Sequence, residues 1–71
     1  MYQFKIEKRD EYLQGRTITY LANIVGITRE YMTSVLTGNR TCSKMVAYCI
    51  VKAGNYENEV ENYFNVIKKG E

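Results

Sequence analysis

The segment LANIVGITREYMTSVLTG, residues 21–38, constrains the fold more than any other part of the chain. Apolar residues at helical spacing run through Leu21, Ala22 and Val25, stop at Gly26, and resume on Met32, Val35 and Leu36 before Gly38 ends the run. A glycine just past the last periodic residue marks a helix end in left-handed backbone, and Thr28, two residues on, is a favourable N-cap. The segment therefore predicts two short helices separated by a tight turn. Neither is long enough to be stable in water alone. Each must bury its apolar stripe against the other and against further helices.

Gly15, Gly54 and Gly70, taken as boundaries in the same way, divide the chain into five helices. The first covers roughly residues 4–14, with Ile6 and Leu13 on one face and Tyr12 beside it. Tyr2, Phe4 and Ile6 alternate, so a short strand over residues 2–6 stays open, although a helix from about residue 5 is favoured. The second runs from the N-cap Thr17 to Val25, with Ile18, Leu21, Ala22 and Val25 at i, i+3, i+4, i+7 spacing. The third is capped by Thr28 and runs to about Thr37. The fourth starts at Ser43 and ends before Gly54; its run MVAYCIV is apolar on more than one face, which suits a central buried helix better than a strand. The fifth, about 56–69, is capped by Asn55 and carries the stripe Val60, Phe64, Ile67. Its early Glu57, Glu59 and Glu61 and late Lys68 and Lys69 match the helix dipole. The expected fold is all-α, a single five-helix domain, with Tyr20, Tyr48 and Tyr63 in the core and Tyr31 at a helix edge.

A chain of 71 residues is one domain with a small core. Histidine is absent, which removes the commonest general base and the commonest metal ligand. Cys42 and Cys49, if on one helix, lie roughly 10 Å apart and cannot bridge. With no signal peptide in MYQFKIEKRD they read as reduced thiols, so a cytoplasmic location is expected. The longest apolar run, residues 45–51, is far shorter than a membrane span. Nothing resembles a phosphate loop, and two thiols without histidine make a poor zinc site. Glu57 and Glu61 would share a helical face, but a solvated, dipole-matched face accounts for them. No cofactor, metal or enzymatic activity is expected. Net charge is zero over residues 1–15, +3 over 16–44 and −1 over 45–71, so positive charge gathers around the two short helices. A basic segment there is the electrostatic footprint of a phosphate-binding surface.

Over residues 17–43, TITYLANIVGITREYMTSVLTGNRTCS resembles the lambda-repressor/Cro-like (XRE-type) helix-turn-helix family. That family's common pattern reads T-Q-x-x-L-A-x-x-L-G-[IV]-[ST]-x-x-x-[IL]-S-x-[IW]-E-x-G-x-R-x-P. Thr17, Leu21, Ala22, Val25, Gly26, Ile27, Thr28, Met32, Val35, Gly38 and Arg40 match it without interruption. The family's usual Gln is Ile18 here, its usual Glu is Leu36 and its usual Pro is Cys42.

The resemblance implies a five-helix domain whose third helix, 28–37, enters the major groove of double-stranded DNA. It implies that Arg29, Glu30, Thr33 and Ser34 face the groove and that Asn39, Arg40 and Thr41 follow the phosphate backbone. Chemistry supports part of this. Arg29 in a first helical turn opposes the dipole, a placement easier to understand if that end meets guanine edges or phosphate. Arg40 and Lys44 flank a Gly-Asn loop beside the next helix N-terminus, a reasonable phosphate clamp. Arg16 and Thr28 complete the candidate set. The function expected is a sequence-specific transcriptional regulator of the repressor type, from a phage or mobile element, acting as a homodimer at least on DNA. The dimer contact is expected on the fifth helix, with Tyr56, Tyr63 or Leu36, or on a strand formed by Tyr2, Phe4 and Ile6. The alternative is a protein-interaction module on the same scaffold, anti-repressor or antitoxin-like, using Leu36, Tyr31 and the fifth helix.

Overall fold

Three helices begin where a hydroxyl side chain can close the first turn. Thr17 Oγ1 accepts the Tyr20 amide at 3.0 Å, Thr28 Oγ1 the Tyr31 amide at 3.0 Å, and Ser43 Oγ the Val46 amide at 3.3 Å. Each satisfies a donor that the helix itself leaves unpaired. The computed structural model describes residues 1–67. In chain order it contains strand β1 (Tyr2–Phe4), a 3-10 turn (Ile6–Lys8), α1 (Arg9–Leu13), α2 (Ile18–Val25), α3 (Arg29–Leu36), α4 (Lys44–Gly54), α5 (Val60–Tyr63) and strand β2 (Phe64–Val66). It is a small, mainly helical domain. α2 packs on α3 and α4, α1 on α4, α5 on α4, and β1 against α3.

The second and third helices form where the sequence places them, and the turn between them has the expected backbone. Gly26 sits at φ 91°, and its amide reaches back to the Ala22 carbonyl at 2.8 Å. A Cβ built there meets nothing within 4 Å, so a substitution meets backbone strain and no crowding. Gly26→Val should therefore lower stability by roughly 1–3 kcal/mol, read as a shift of the urea midpoint at unchanged slope. An unshifted midpoint would contradict the left-handed turn.

Both ends of the chain differ from expectation, and for one shared reason. The fold is not all-α: β1 and β2 pair antiparallel, with Tyr2 opposite Val66, Gln3 opposite Asn65 and Phe4 opposite Phe64. Tyr2 also exchanges both backbone hydrogen bonds with Cys42, at 2.8 and 2.9 Å, tying the segment after α3 to the strand. The first helix accordingly starts later than residue 5, and Ile6 is 58% exposed instead of facing inward. The helix expected over 56–69 shrinks to Val60–Tyr63 because Phe64 turns extended (φ −130°, ψ 145°) to meet β1. Asn55 does not cap it. The Asn55 and Asn58 side-chain amides donate to the Tyr63 hydroxyl, each at 3.3 Å, and the Glu59 amide donates to Asn62 Oδ1 at 2.8 Å where the short helix begins. Glu57 and Glu59 thus precede the helix and share no face with Glu61. Lys68 and Lys69 lie outside the described residues.

The sheet brings Phe4 and Phe64 against Tyr12 and Tyr63. Phe4 meets Tyr12 edge-on at 5.8 Å and Phe64 at 5.2 Å, Tyr12 meets Tyr63 edge-on at 5.6 Å, and Phe4 stacks on Tyr63 at 6.3 Å. Each such pair contributes about 0.5–1.5 kcal/mol beyond its burial. The Tyr12 hydroxyl donates to the Ile50 carbonyl at 2.5 Å, which satisfies the one polar group of a wholly buried side chain. Leu21, Ala22, Met32, Val35, Leu36, Ala47, Ile50 and Val51 fill the rest of the core.

Gly54 is the last residue of α4, not a stop beyond it, and it has no left-handed backbone. It is glycine because the Tyr12 ring lies against its backbone.

Cys42 and Cys49 are free thiols, and Cys42 is not on α4. Burial pushes the Cys42 thiol up to about 11, with the Met1 ammonium opposing the shift. The unfolded chain loses this proton first as pH rises, so stability falls between about pH 9 and 11, by up to about 3 kcal/mol for a two-unit shift. Burial raises the Tyr12 hydroxyl as well, which continues the loss above pH 10. Cys42→Ala should flatten urea midpoints between pH 9 and 10 and leave the steeper fall at higher pH. An unchanged slope would show that Cys42 titrates alike in both states.

Candidate nucleic-acid interface

α3 divides cleanly into two faces. Met32, Val35 and Leu36 are wholly buried and Tyr31 is half-buried beside them. Arg29, Glu30, Thr33, Ser34 and Thr37 occupy the other side, successive 100° steps placing them within one arc. Of these, Arg29, Glu30 and Thr37 are exposed and Thr33 and Ser34 partly so. Thr28 is exposed at the N-cap, with its hydroxyl already engaged by the Tyr31 amide. Thr37 turns its hydroxyl back onto the Thr33 carbonyl at 2.9 Å, so it faces outward without offering a reading group. The Thr33 hydroxyl oxygen is buried and has no hydrogen-bond partner among the described residues.

The end of α3 is wrapped by its own loop. The Asn39 and Arg40 amides both donate to the Ser34 carbonyl, at 3.0 and 3.2 Å, and the Gln3 side-chain amide donates to the Gly38 carbonyl at 3.0 Å. Strand β1 thereby fixes the loop that carries Asn39 and Arg40, both exposed. The Arg40 guanidinium lies over the Tyr31 ring, 5.2 Å from its centroid. Tyr31 lies at the helix edge as its position predicts, but the pairing leaves no local trace in the sequence, where nine positions and a loop separate the two residues. Thr41 is half-buried, and Lys44 is exposed in the first turn of α4.

Among the described residues the one ion pair is Lys8–Glu11, at 3.5 Å. Arg29, Arg40 and Lys44 therefore make no ion pair among the described residues. Arg29 and Arg40 bracket α3, whose eight residues rise about 12 Å. Arg16 is instead engaged within the chain. Its Nε donates to the Leu13 carbonyl and a terminal guanidinium nitrogen to the Tyr12 carbonyl, both at 2.9 Å, which caps α1 at the end where the dipole favours a cation.

The aromatic expectations divide. Tyr63 is core, but Tyr20 and Tyr48 are 55% and 51% exposed. Leu36 is wholly buried, as is Tyr63, so neither is available to a partner, and β1 pairs within the chain instead of across a dimer axis. The described residues include no group of three or more His, Cys, Asp or Glu side chains placed to hold a metal ion, and no helix long and apolar enough to cross a membrane. No protein-family model, curated protein or solved structure matches the chain.

Proposed function

We propose that this protein is a sequence-specific double-stranded-DNA-binding transcriptional regulator of the Cro/repressor kind, with α2, the Gly26 turn and α3 serving as a helix-turn-helix. The observation that carries this reading is the outer arc of α3. It is polar, it presents Arg29, Glu30 and Ser34 together with the outer side of Thr33, whose hydroxyl oxygen is buried, and it lies between two cations, Arg29 and Arg40, that make no ion pair among the described residues. In this reading α3 lies in the major groove. Arg29 reads guanine edges or meets phosphate at the helix start, and Glu30 accepts from cytosine N4. Asn39, Arg40, Thr41 and Lys44 follow the phosphates, with Arg40 pre-ordered by Tyr31.

One such helix reads only a few base pairs, so the proposal includes two copies on half-sites about 34 Å apart. Leu36 and Tyr63 being buried, the contact between copies falls elsewhere. With both thiols free, action in a reducing cytoplasm, as in a phage or mobile-element regulator, is part of the same reading.

The test is a salt-titrated binding assay on duplex DNA from around the coding region. Neutralised phosphates make affinity fall linearly with salt on logarithmic axes. Saturable binding with that dependence, and a footprint of two half-sites one turn apart, is the expected result. An absence of saturable duplex binding even at low salt would overturn it.

A further inference from the structure

A second surface lies on α4. Lys44, Tyr48 and Lys52 recur at four-residue spacing and share one side of the helix, with Met45 alongside. Met45, Tyr48 and Tyr56 are 69%, 51% and 79% exposed, and an open cleft of about 410 Å³ lies among Lys44, Met45 and Tyr48. The Lys52 ammonium sits over the Tyr48 and Tyr56 rings, 5.7 and 5.9 Å from their centroids. It donates to the Tyr56 and Asn58 carbonyls at 3.1 and 2.8 Å. The rings and the lysine stem therefore form a pre-ordered apolar platform, and less side-chain freedom is lost when something covers it.

Charge says what that something is. α4 carries two lysines and no carboxylate, and Lys44 stands at the helix N-terminus, where the dipole adds to its positive charge. Glu57 and Glu59 follow Tyr56 at the other end. We propose that this face docks an acidic amphipathic segment of another protein. Its apolar side chains cover Met45, Tyr48 and Tyr56, one of them entering the cleft, and its carboxylates lie at the Lys44 end, away from Glu57 and Glu59.

A second copy of this chain fits poorly. A two-fold crossing centred on Tyr48 sets Lys44 against Lys52 of the other copy if the helices run antiparallel, and like against like if they run parallel. Nucleic acid fits poorly too. Lys52 is already held by two carbonyls, which leaves Lys44 as the cation free to meet phosphate, and phosphate-driven affinity scales with the number of phosphates neutralised. The surface shares Lys44 with the proposed phosphate contacts, so an acidic segment and duplex would compete at that residue, but Met45, Tyr48 and Tyr56 do not depend on α3 meeting DNA.

The test is an NMR titration of the intact protein with three probes. These are a synthetic amphipathic peptide of Glu, Leu and Phe, the same peptide with Gln for Glu, and a single-stranded oligonucleotide. The acidic peptide is expected to shift the Met45 methyl and the amides from Lys44 to Lys52, and to bind about tenfold more weakly to Tyr48→Ser and to Lys44→Glu. Both substituted side chains are exposed, and unshifted amides elsewhere in the variants confirm the fold; Met45→Ser stands in for either variant that fails to fold. Equal binding of the Gln peptide, no shift at millimolar peptide, tighter binding of the oligonucleotide at Met45, Tyr48 and Tyr56, or a wild-type dimer in sedimentation that Tyr48→Ser dissolves would each overturn the proposal. Duplex binding by α3 is measured separately, so its failure leaves this result intact.

Discussion

Gly54→Ala is expected to destabilise the protein by about 2–4 kcal/mol, the larger end of what overpacking produces. A Cβ at this position would stand 2.8 Å from the Tyr12 hydroxyl oxygen and closer still to the ring carbons. Tyr12 has nowhere to go: it is wholly buried, its hydroxyl is held by the Ile50 carbonyl, and its ring is wedged edge-on between Phe4 and Tyr63. Alanine should gain roughly 1 kcal/mol of helix propensity over glycine, so the clash must exceed that before any loss is seen. For a chain of this size, whose whole stability is about 4–11 kcal/mol, the net loss unfolds a measurable fraction of molecules. Urea unfolding reads it directly, and a double-mutant cycle with Tyr12→Leu identifies the cause. Removing the ring should make Gly54→Ala nearly neutral or stabilising. A midpoint that Gly54→Ala leaves in place, or the same loss in both backgrounds, would mean that the glycine is not there for Tyr12. Gly26 provides the contrast: open space around it but left-handed backbone, so its substitution should be insensitive to Tyr12.

These two glycines show what the sequence could and could not reveal. Gly26 follows an apolar period and precedes a threonine cap, all within a few residues, and α2 and α3 form as that local pattern predicts. Gly54 looks the same in sequence, at the end of an apolar run, yet its role is set by Tyr12, which lies 42 positions earlier. The C-terminal region misleads for the same reason. Val60, Phe64 and Ile67 have helical spacing, but Phe64–Val66 pairs with Tyr2–Phe4, and no local periodicity reports a partner at the opposite end of the chain. Alternation at Tyr2, Phe4 and Ile6 was the one local trace of that sheet. On the candidate interface the positions on α3 were legible because helical phase sorts them. The hydrogen bonds of Arg16 to the end of α1 were not, since a cation before a helix reads alike whether it meets phosphate or caps the helix before it. Tyr20 and Tyr48 lie on the outside because a tyrosine can leave its hydroxyl and part of its ring in water, which an apolar count ignores.

Reversing both arginines of the proposed interface, Arg29→Glu with Arg40→Glu, is expected to weaken duplex binding by about two to four orders of magnitude, taking each lost contact at 1–3 kcal/mol and adding repulsion. The pair is informative because the two sites act differently on the protein itself. Glutamate at position 29 suits the start of α3, where the dipole favours an acid, so that variant should fold at least as well as the wild type. Glutamate at position 40 forfeits the stacking on Tyr31, roughly 0.5–1 kcal/mol at an exposed site, too little to unfold the domain. Loss of binding is then not loss of fold, and thermal melts of the variants check this. Single alanine variants separate the roles. Arg29→Ala should lose about 1–3 kcal/mol on the preferred site and relax its sequence preference. Arg40→Ala should weaken preferred and random duplexes alike and reduce the salt slope by about one unit. Identical behaviour of the two on both duplexes would remove the distinction between a reader and a clamp. A wild type that binds duplex in a salt-dependent manner, beside a double reversal that binds equally well, would move the DNA site off α3 altogether.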